Sequence, residues 1–221
     1  MAVGVRLYPW TAHTLGITFL TGVGIVIAST WCLWQAVPSD ERAALSEVDR
    51  PQVQQPERAR LHSLPVGPRP TLVSVDFETQ VFGEQLRESG FKSAEETMFV
   101  MEGVSQYIAR EALPDTLTFV GSLPKAMLLF TYIEAALLAD PGGFEDGDAS
   151  GLLQKFREQG KPWVSAYEPS EWAAALAAQG LRLTQDVGWE ECMRHVLEPN
   201  GRAERPAKME RVITAVSSPE N

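Results

Sequence analysis

The sequence contains few of the residues that build metal centres and disulfide frameworks. Its 221 residues include two cysteines and three histidines. Cys32 and Cys192 stand far apart, with no Cys or His partner at metal-ligand spacing, and a disulfide framework needs more thiols than these. The histidines have no matching Ser, Cys or acidic pattern, which argues against a catalytic triad. We therefore expect no metal site and a reducing compartment, the cytoplasm.

Positive charge is scarce as well. The chain has 19 Lys and Arg against 29 Asp and Glu, which gives a net charge of -10. This balance repels a phosphate backbone and offers no basic stripe for counterion release, so nucleic acid is not an expected partner. The length predicts one sizeable domain with a buried core rather than two independent domains.

Charged residues are absent from residues 7–39. Within this stretch, residues 15–34 are rich in Ile, Val, Leu and Phe and are long enough to cross a bilayer as a single-pass anchor. The same residues also fit a buried strand at 16–21, a tight turn from Gly22 to Gly24 and an apolar helix. Hydropathy does not separate these two interpretations. A cleaved signal peptide fits less well, because the small-residue cleavage pattern is poor.

From residue 43 onward, short β-branched runs alternate with amphipathic stretches. This alternation is typical of βαβ units around a mostly parallel sheet, so the sequence predicts an α/β fold. We expect an apolar segment at residues 1–42 and a domain at 43–221 with a lid insertion at about 140–168. The predicted strands lie at 44–48, 71–75, 97–101, 126–132, 181–183 and 211–216, and the predicted helices at 52–64, 82–89, 108–123 and after a capping Ser170.

Acidic residues stand at the ends of several predicted strands, where ligands bind in open α/β sheets. An acid after the second strand can accept hydrogen bonds from both ribose hydroxyls of an adenosyl ligand, and Asp49 follows Gly24 at about the 20-residue spacing of such folds. Asp76 with Phe77 suits an adenine amino group and ring. Glu102 would face the methionine end of the ligand or the acceptor. Taken singly, each acid is more often a helix cap or a solvated loop residue.

Four sequence blocks occur in a recognisable order: Ser-Glu-Val-Asp-Arg-Pro, Val-Ser-Val-Asp-Phe-Glu, Leu-Arg-Glu-Ser-Gly-Phe and Thr-Met-Phe-Val-Met-Glu-Gly-Val-Ser-Gln-Tyr-Ile. This order closely resembles the leucine carboxyl methyltransferase family of S-adenosylmethionine (SAM) dependent O-methyltransferases. The resemblance covers about residues 46–216 and implies a class I, Rossmann-like methyltransferase fold with SAM as cofactor. It also implies that Asp49 matches the ribose-binding acid, Asp76 and Phe77 the pair at the adenine, and Glu102 the acid near the methionyl group.

The chain departs from this family at its glycine loop. Relatives carry Gly-x-Gly-x-Asp-Thr-Arg after the first strand, whereas Gly22-Val-Gly24 is followed here by Ile-Val-Ile. The amides of Gly22 and Gly24 would still be able to hold the methionyl carboxylate, but the side-chain hydrogen bonds would be lost. The family places its first strand in the middle of the sheet, and this favours residues 16–21 as that strand over a membrane anchor.

The expected activity is methyl transfer to a carboxylate or hydroxyl of a small molecule or a protein C-terminus. A carboxylate needs no base, whereas a hydroxyl needs one, for which Glu102, Tyr107 and Tyr132 are the candidates. The eroded glycine loop keeps a second hypothesis open, a catalytically inactive binding or scaffold protein. A third hypothesis is a membrane-tethered enzyme with its domain facing the cytoplasm.

Overall fold

Seven strands form one mixed sheet at the centre of the molecule. The computed structural model describes residues 4–8, 46–51, 71–142, 149–160, 162–192, 194, 198–201 and 209–218. The strands are β1 (Gly4–Tyr8), β2 (Ser46–Asp49), β3 (Thr71–Ser74), β4 (Thr97–Glu102), β5 (Ala126–Ile133), β6 (Leu181–Val187) and β7 (Glu210–Ser217). The helices are α1 (Phe82–Glu88), α2 (Leu113–Gly121), α3 (Ala135–Ala139), α4 (Ala149–Glu158), α5 (Trp172–Ala177) and α6 (Trp189–Cys192), with 3-10 turns at Ser105–Tyr107, Pro169–Glu171 and Glu198–Asn200.

The strand order across the sheet is β3-β2-β1-β4-β5-β7-β6. Its first five positions repeat the order of a doubly wound, Rossmann-like sheet, in which successive strands are added on one side of the first strand and then on its other side. The pairs β2/β3 and β4/β5 are parallel, whereas β7 runs antiparallel to both of its neighbours. The predicted α/β, Rossmann-like fold class is confirmed.

The central position of the sheet holds a different segment from the one we predicted. We placed residues 16–21 there, but the strand between β2 and β4 is β1, and it runs antiparallel to both. Antiparallel pairing satisfies the backbone hydrogen-bonding groups of both neighbours as fully as parallel pairing does. The position between β2 and β4 therefore accepts a strand of either direction. Residues 16–21, with Gly22 and Gly24, lie outside the described residues.

The main core lies against one face of the sheet. Alternate residues of the two central parallel strands point into it, among them Phe99 and Met101 of β4 and Leu128 and Phe130 of β5, all fully buried. Burial of one such side chain contributes about 1.5–3 kcal/mol. Phe82 of α1 stands in the same cluster, and these contacts hold the sheet and its helices in one unit.

The ends of several elements follow the sequence signals, and others do not. Gly90 and Gly180 end helices in the left-handed region, with φ of 91° and 76°. Ser170 does not cap a helix, because Glu168 and Glu171 form the capping box of the 3-10 turn there. The predicted helix at 108–123 is confined to α2, with Pro114 in its first turn, where a missing N–H does no harm.

The described helices include none that combines the length and apolar character needed to cross a bilayer. The candidate anchor, residues 15–34, lies outside the described residues.

Candidate functional site at the carboxyl edge of the sheet

The carboxyl ends of the parallel strands meet at one edge of the sheet, and two of the predicted acids lie there in one row. Gly4 of β1 pairs with Asp49 on one side and with Glu102 on the other. The Cα atoms of the two acids are therefore two strand spacings apart, about 10 Å. Paired residues of neighbouring strands point to the same face, so both carboxylates project from one face with a glycine between them.

Asp49 is buried in this row. It is 1% exposed, and its Oδ1 accepts a hydrogen bond of 2.7 Å from the backbone N–H of Arg50. The guanidinium of Arg50 reaches Glu78, with 3.4 Å between Nη2 and Oε1. This ion pair links the end of β2 to the loop that follows β3.

Asp76 lies beside Asp49, one residue beyond the extended end of β3. The N–H of Val75 donates to the carbonyl of Asp49 at 2.9 Å, which continues the pairing past Ser74. Asp76 then begins a turn, since its Oδ1 accepts from the N–H of Glu78 at 3.2 Å. The acid thus shares the edge with Asp49 and already organises the local backbone.

Phe77 points into the core. It is 6% exposed, and its ring stacks on Phe82 with 5.9 Å between centroids. Little of this ring faces solvent at the edge, so its predicted contact with an adenine would involve a small part of its surface.

Glu102 is followed by a turn that depends on one glycine. Gly103 has a φ of 65°, a conformation that favours glycine, and its N–H donates to Thr131 Oγ1 at 2.9 Å. Ser105 Oγ donates to the carbonyl of the same Thr131 at 2.8 Å. The Glu-Gly-Val-x-x-Tyr block is therefore fastened to β5 at two points, and this fixes where Tyr107 stands.

Tyr107 is a hydrogen-bond donor rather than a base. Its ring meets Trp163 edge to face, with 6.5 Å between centroids. Burial raises the pKa of the Tyr107 phenol, and the negative charge of Glu210 raises it further. The phenol is protonated at neutral pH and does not accept a proton from a substrate hydroxyl there.

Tyr132 is equally unsuited to the role of base that the sequence left open for it. Burial, with a hydrogen bond from its hydroxyl to Asp186 Oδ2 at 2.9 Å, raises the pKa of its phenol well above the ordinary value. Arg211 donates to the other oxygen of Asp186 at 2.9 Å and lies 3.4 Å from Glu134 Oε1. These four residues form a polar network that joins β5, β6 and β7 at the same edge.

Sequence reasoning missed two polar residues of this edge, Gln106 and Glu210. Gln106 Nε2 donates to Glu210 Oε1 at 3.2 Å, and burial of the carboxyl group raises the pKa of Glu210. We looked for acids after strands. Because β7 is antiparallel, its first residue reaches this edge, opposite Ile133 of β5. A search for acids on both sides of each predicted strand would have found Glu210.

The structure thus brings Asp49, Asp76 and Glu102 to one edge. Gly22 and Gly24 lie outside the described residues. Within the part of the chain that is described, no group of His, Cys, Asp and Glu has the arrangement of a metal site.

Residues 33–121 match the family model described as leucine carboxyl methyltransferase. No curated protein matches the chain in sequence. Solved structures similar to it include the mitomycin 7-O-methyltransferase MmcR, with 16% identity, a TM-score of 0.47, and coverage of 77% of this chain and 41% of that one. Magnesium protoporphyrin IX methyltransferase from Synechocystis PCC 6803 with bound SAH has 12% identity and a TM-score of 0.42, covering 73% and 57%. An O-methyltransferase family protein from Burkholderia thailandensis has 12% identity and a TM-score of 0.45, covering 79% and 43%.

This chain spans between 41% and 57% of the length of these three proteins. The identities and TM-scores are low, so the fold assignment depends on the strand order of the sheet. The family model that matches residues 33–121 is the family that the strand-end blocks resemble.

Proposed function

We propose that the protein is a SAM-dependent methyltransferase whose cofactor lies along the carboxyl edge of the sheet. The observation that carries the proposal is the row in which Asp49 and Glu102 flank Gly4. Asp49 would accept hydrogen bonds from the ribose hydroxyls and Asp76 from the adenine amino group. Glu102 would lie at the methionyl end, where its negative charge favours the cationic sulfonium of SAM.

Methyl transfer needs alignment more than side-chain chemistry. The acceptor oxygen forms a bond to the methyl carbon as the bond from carbon to sulfur breaks, and neutral S-adenosylhomocysteine leaves. A carboxylate acceptor loses no proton in this step. A hydroxyl acceptor gives its proton to a base, for which Glu102 is suited and Tyr107, a donor by its raised pKa, is suited only to orient the acceptor. The acceptor class in this proposal is a small molecule or a protein C-terminus.

Calorimetric titration with SAM tests the cofactor site. Asp49→Asn and Glu102→Gln each remove one charge, and a hydrogen bond to a charged group contributes about 1.5–3 kcal/mol, so we expect each change to weaken binding roughly 10- to 100-fold. Glu88→Gln, which changes an exposed acid at the end of α1, is the matched control and should bind as wild type does. The absence of heat at millimolar SAM, or equal losses in all three variants, would contradict the proposal.

A second candidate function is binding of SAM without turnover. It is favoured by the reversed direction of β1, because Tyr8 and Ser46, the described residues on either side of 9–45, both lie at the opposite edge of the sheet. Among the described residues, no strand end that adjoins residues 9–45 lies at the cofactor edge. Transfer of radiolabelled methyl groups from SAM to any acceptor would exclude this candidate.

The cytoplasm is the compartment in which we place the enzyme, since SAM is available there. A membrane tether through residues 15–34 is tested by carbonate extraction of the expressed protein. Release of the protein into the supernatant would exclude the tether.

A further inference from the structure

A buried amide group with an unused oxygen lies beside the proposed cofactor edge. Gln106 is 2% exposed, and no hydrogen-bond donor from the described part of the chain reaches its Oε1. A buried carbonyl oxygen left in this state costs about 1–3 kcal/mol, and native proteins rarely carry one without a ligand or an ordered water.

The orientation of the Gln106 amide is set by its neighbour. Its Nε2 lies 3.2 Å from Glu210 Oε1, and a carboxylate requires a donor at this distance, so the nitrogen faces Glu210 and the oxygen faces away. Both groups are thereby presented as hydrogen-bond acceptors. Arg211, the residue after Glu210, makes its ion pairs with Asp186 and Glu134.

The position of this pair suits the methyl acceptor rather than the cofactor. Gln106 lies four residues beyond Glu102, on the turn that follows β4, and Glu210 lies opposite Ile133 at the end of β5. The backbone carbonyl of Gln106 accepts from the N–H of Val164 at 2.8 Å. Val164 is 54% exposed and follows Trp163, so an apolar segment borders the polar pair.

We infer that Gln106 and Glu210 form a binding site for a group that donates hydrogen bonds, a hydroxyl or an ammonium carried on an apolar body. Two acceptors side by side disfavour an anionic carboxylate on the ligand. The identification of this ligand as the methyl acceptor rests on the proposed function, and it selects a hydroxyl or an amine over a carboxylate as the group that is recognised.

Three small probes with the same ring test the inference: benzyl alcohol, benzylamine and benzoate. The readout is the 1H–15N signal of the Gln106 side-chain amide, assigned by its loss in Gln106→Met and followed with and without S-adenosylhomocysteine. We expect benzylamine or benzyl alcohol to shift this signal saturably, and benzoate to leave it in place. Glu210→Gln should weaken the binding of benzylamine at least tenfold, because it removes the charge and keeps the shape.

Two controls separate site effects from loss of folding. Glu88→Gln and Gln159→Met change exposed residues and should leave probe binding as in wild type. If Glu210→Gln does not fold by circular dichroism, calorimetric titration with benzylamine compares Gln106→Met with wild type, and the same weakening is expected.

The outcomes distinguish this inference from the proposed function. If SAM binds but no probe moves the Gln106 signal, or benzoate moves it as strongly as benzylamine, the inference is overturned and the methyltransferase proposal stands. If a probe binds in a Glu210-dependent manner but SAM does not bind, the proposed function fails and the donor-binding site stands.

Discussion

Removal of one hydroxyl group tests the polar network that joins β5, β6 and β7. Tyr132 is fully buried, and its hydroxyl donates to Asp186 Oδ2 at 2.9 Å. Tyr132→Phe keeps the ring and its packing against Trp172, whose centroid is 5.2 Å away, and deletes only the donor. The change in the free energy of unfolding therefore reports the hydrogen bond and the desolvation of the carboxylate oxygen left behind.

The expected magnitude follows from what Asp186 retains. A hydrogen bond to a charged group contributes about 1.5–3 kcal/mol. Arg211 still donates to Asp186 Oδ1 at 2.9 Å in the variant, so the carboxylate keeps its countercharge. We therefore expect a loss at the low end of that range, about 1.5 kcal/mol, which corresponds to a fall in Tm of roughly 3–6 °C for a domain of this size.

Urea denaturation of four proteins measures the effect: wild type, Tyr132→Phe, Asp186→Asn and the double variant. Both residues belong to one network, so their effects should not add. The sum of the unfolding free energies lost in the two single variants should exceed the loss in the double variant by about 1 kcal/mol or more. Additive losses, or a loss below about 0.5 kcal/mol for Tyr132→Phe alone, would refute the view that this hydrogen bond stabilises the edge.

Three further changes test other contacts. Gly121→Ala should destabilise the fold by about 1–3 kcal/mol in urea denaturation, because its Cβ would stand 1.8 Å from the carbonyl oxygen of Gln179, whereas Gly142→Ala, with its nearest neighbour at 3.9 Å, should change stability by less than about 0.5 kcal/mol. Gly103→Ala should cost about 1–2 kcal/mol through its φ of 65°, and an unchanged Tm would contradict the role given to that turn. Burial raises the pKa of Glu210 above its ordinary 4.5, so the native state binds this proton more tightly than the unfolded state does, and wild type should lose stability relative to Glu210→Gln as pH rises above that value. Tm values of both proteins from about pH 4 to about pH 8 check this, and a constant difference would contradict it.

Strands β2 and β4 and the edge at which they end were predictable because the relevant signals are local. The β-branched run that became β4 ends at Glu102, and the run before Asp49 became β2. Both strands are parallel, so their terminal acids meet at one edge whatever the detailed packing. To predict that these acids lie together, it was enough to know the direction of the chain and the residues at which the strands end.

The direction of the remaining strands was not predictable in the same way. Alternation of apolar and polar residues is the same for either direction of pairing, so the sequence of β7 did not indicate that it runs antiparallel. Glu210 was missed for this reason. Residues 4–8, which form β1, were not predicted as a strand at all. Phe77 illustrates a different limit, because an aromatic residue after a strand fits a ligand or the core equally well, and here Phe82 stands close enough to stack on it.

The reversal of β1 also relaxes the demands on the chain between Tyr8 and Ser46. A parallel neighbour requires a crossover of a dozen or more residues that returns over one face of the sheet with a fixed hand. Antiparallel neighbours are joined by as little as a two-residue turn. Because Leu7 lies opposite Ser46, a hairpin linker of a few residues in place of 9–45 satisfies the geometry of the sheet. The register of β1 and β2 is therefore compatible with a connection as short as a hairpin turn.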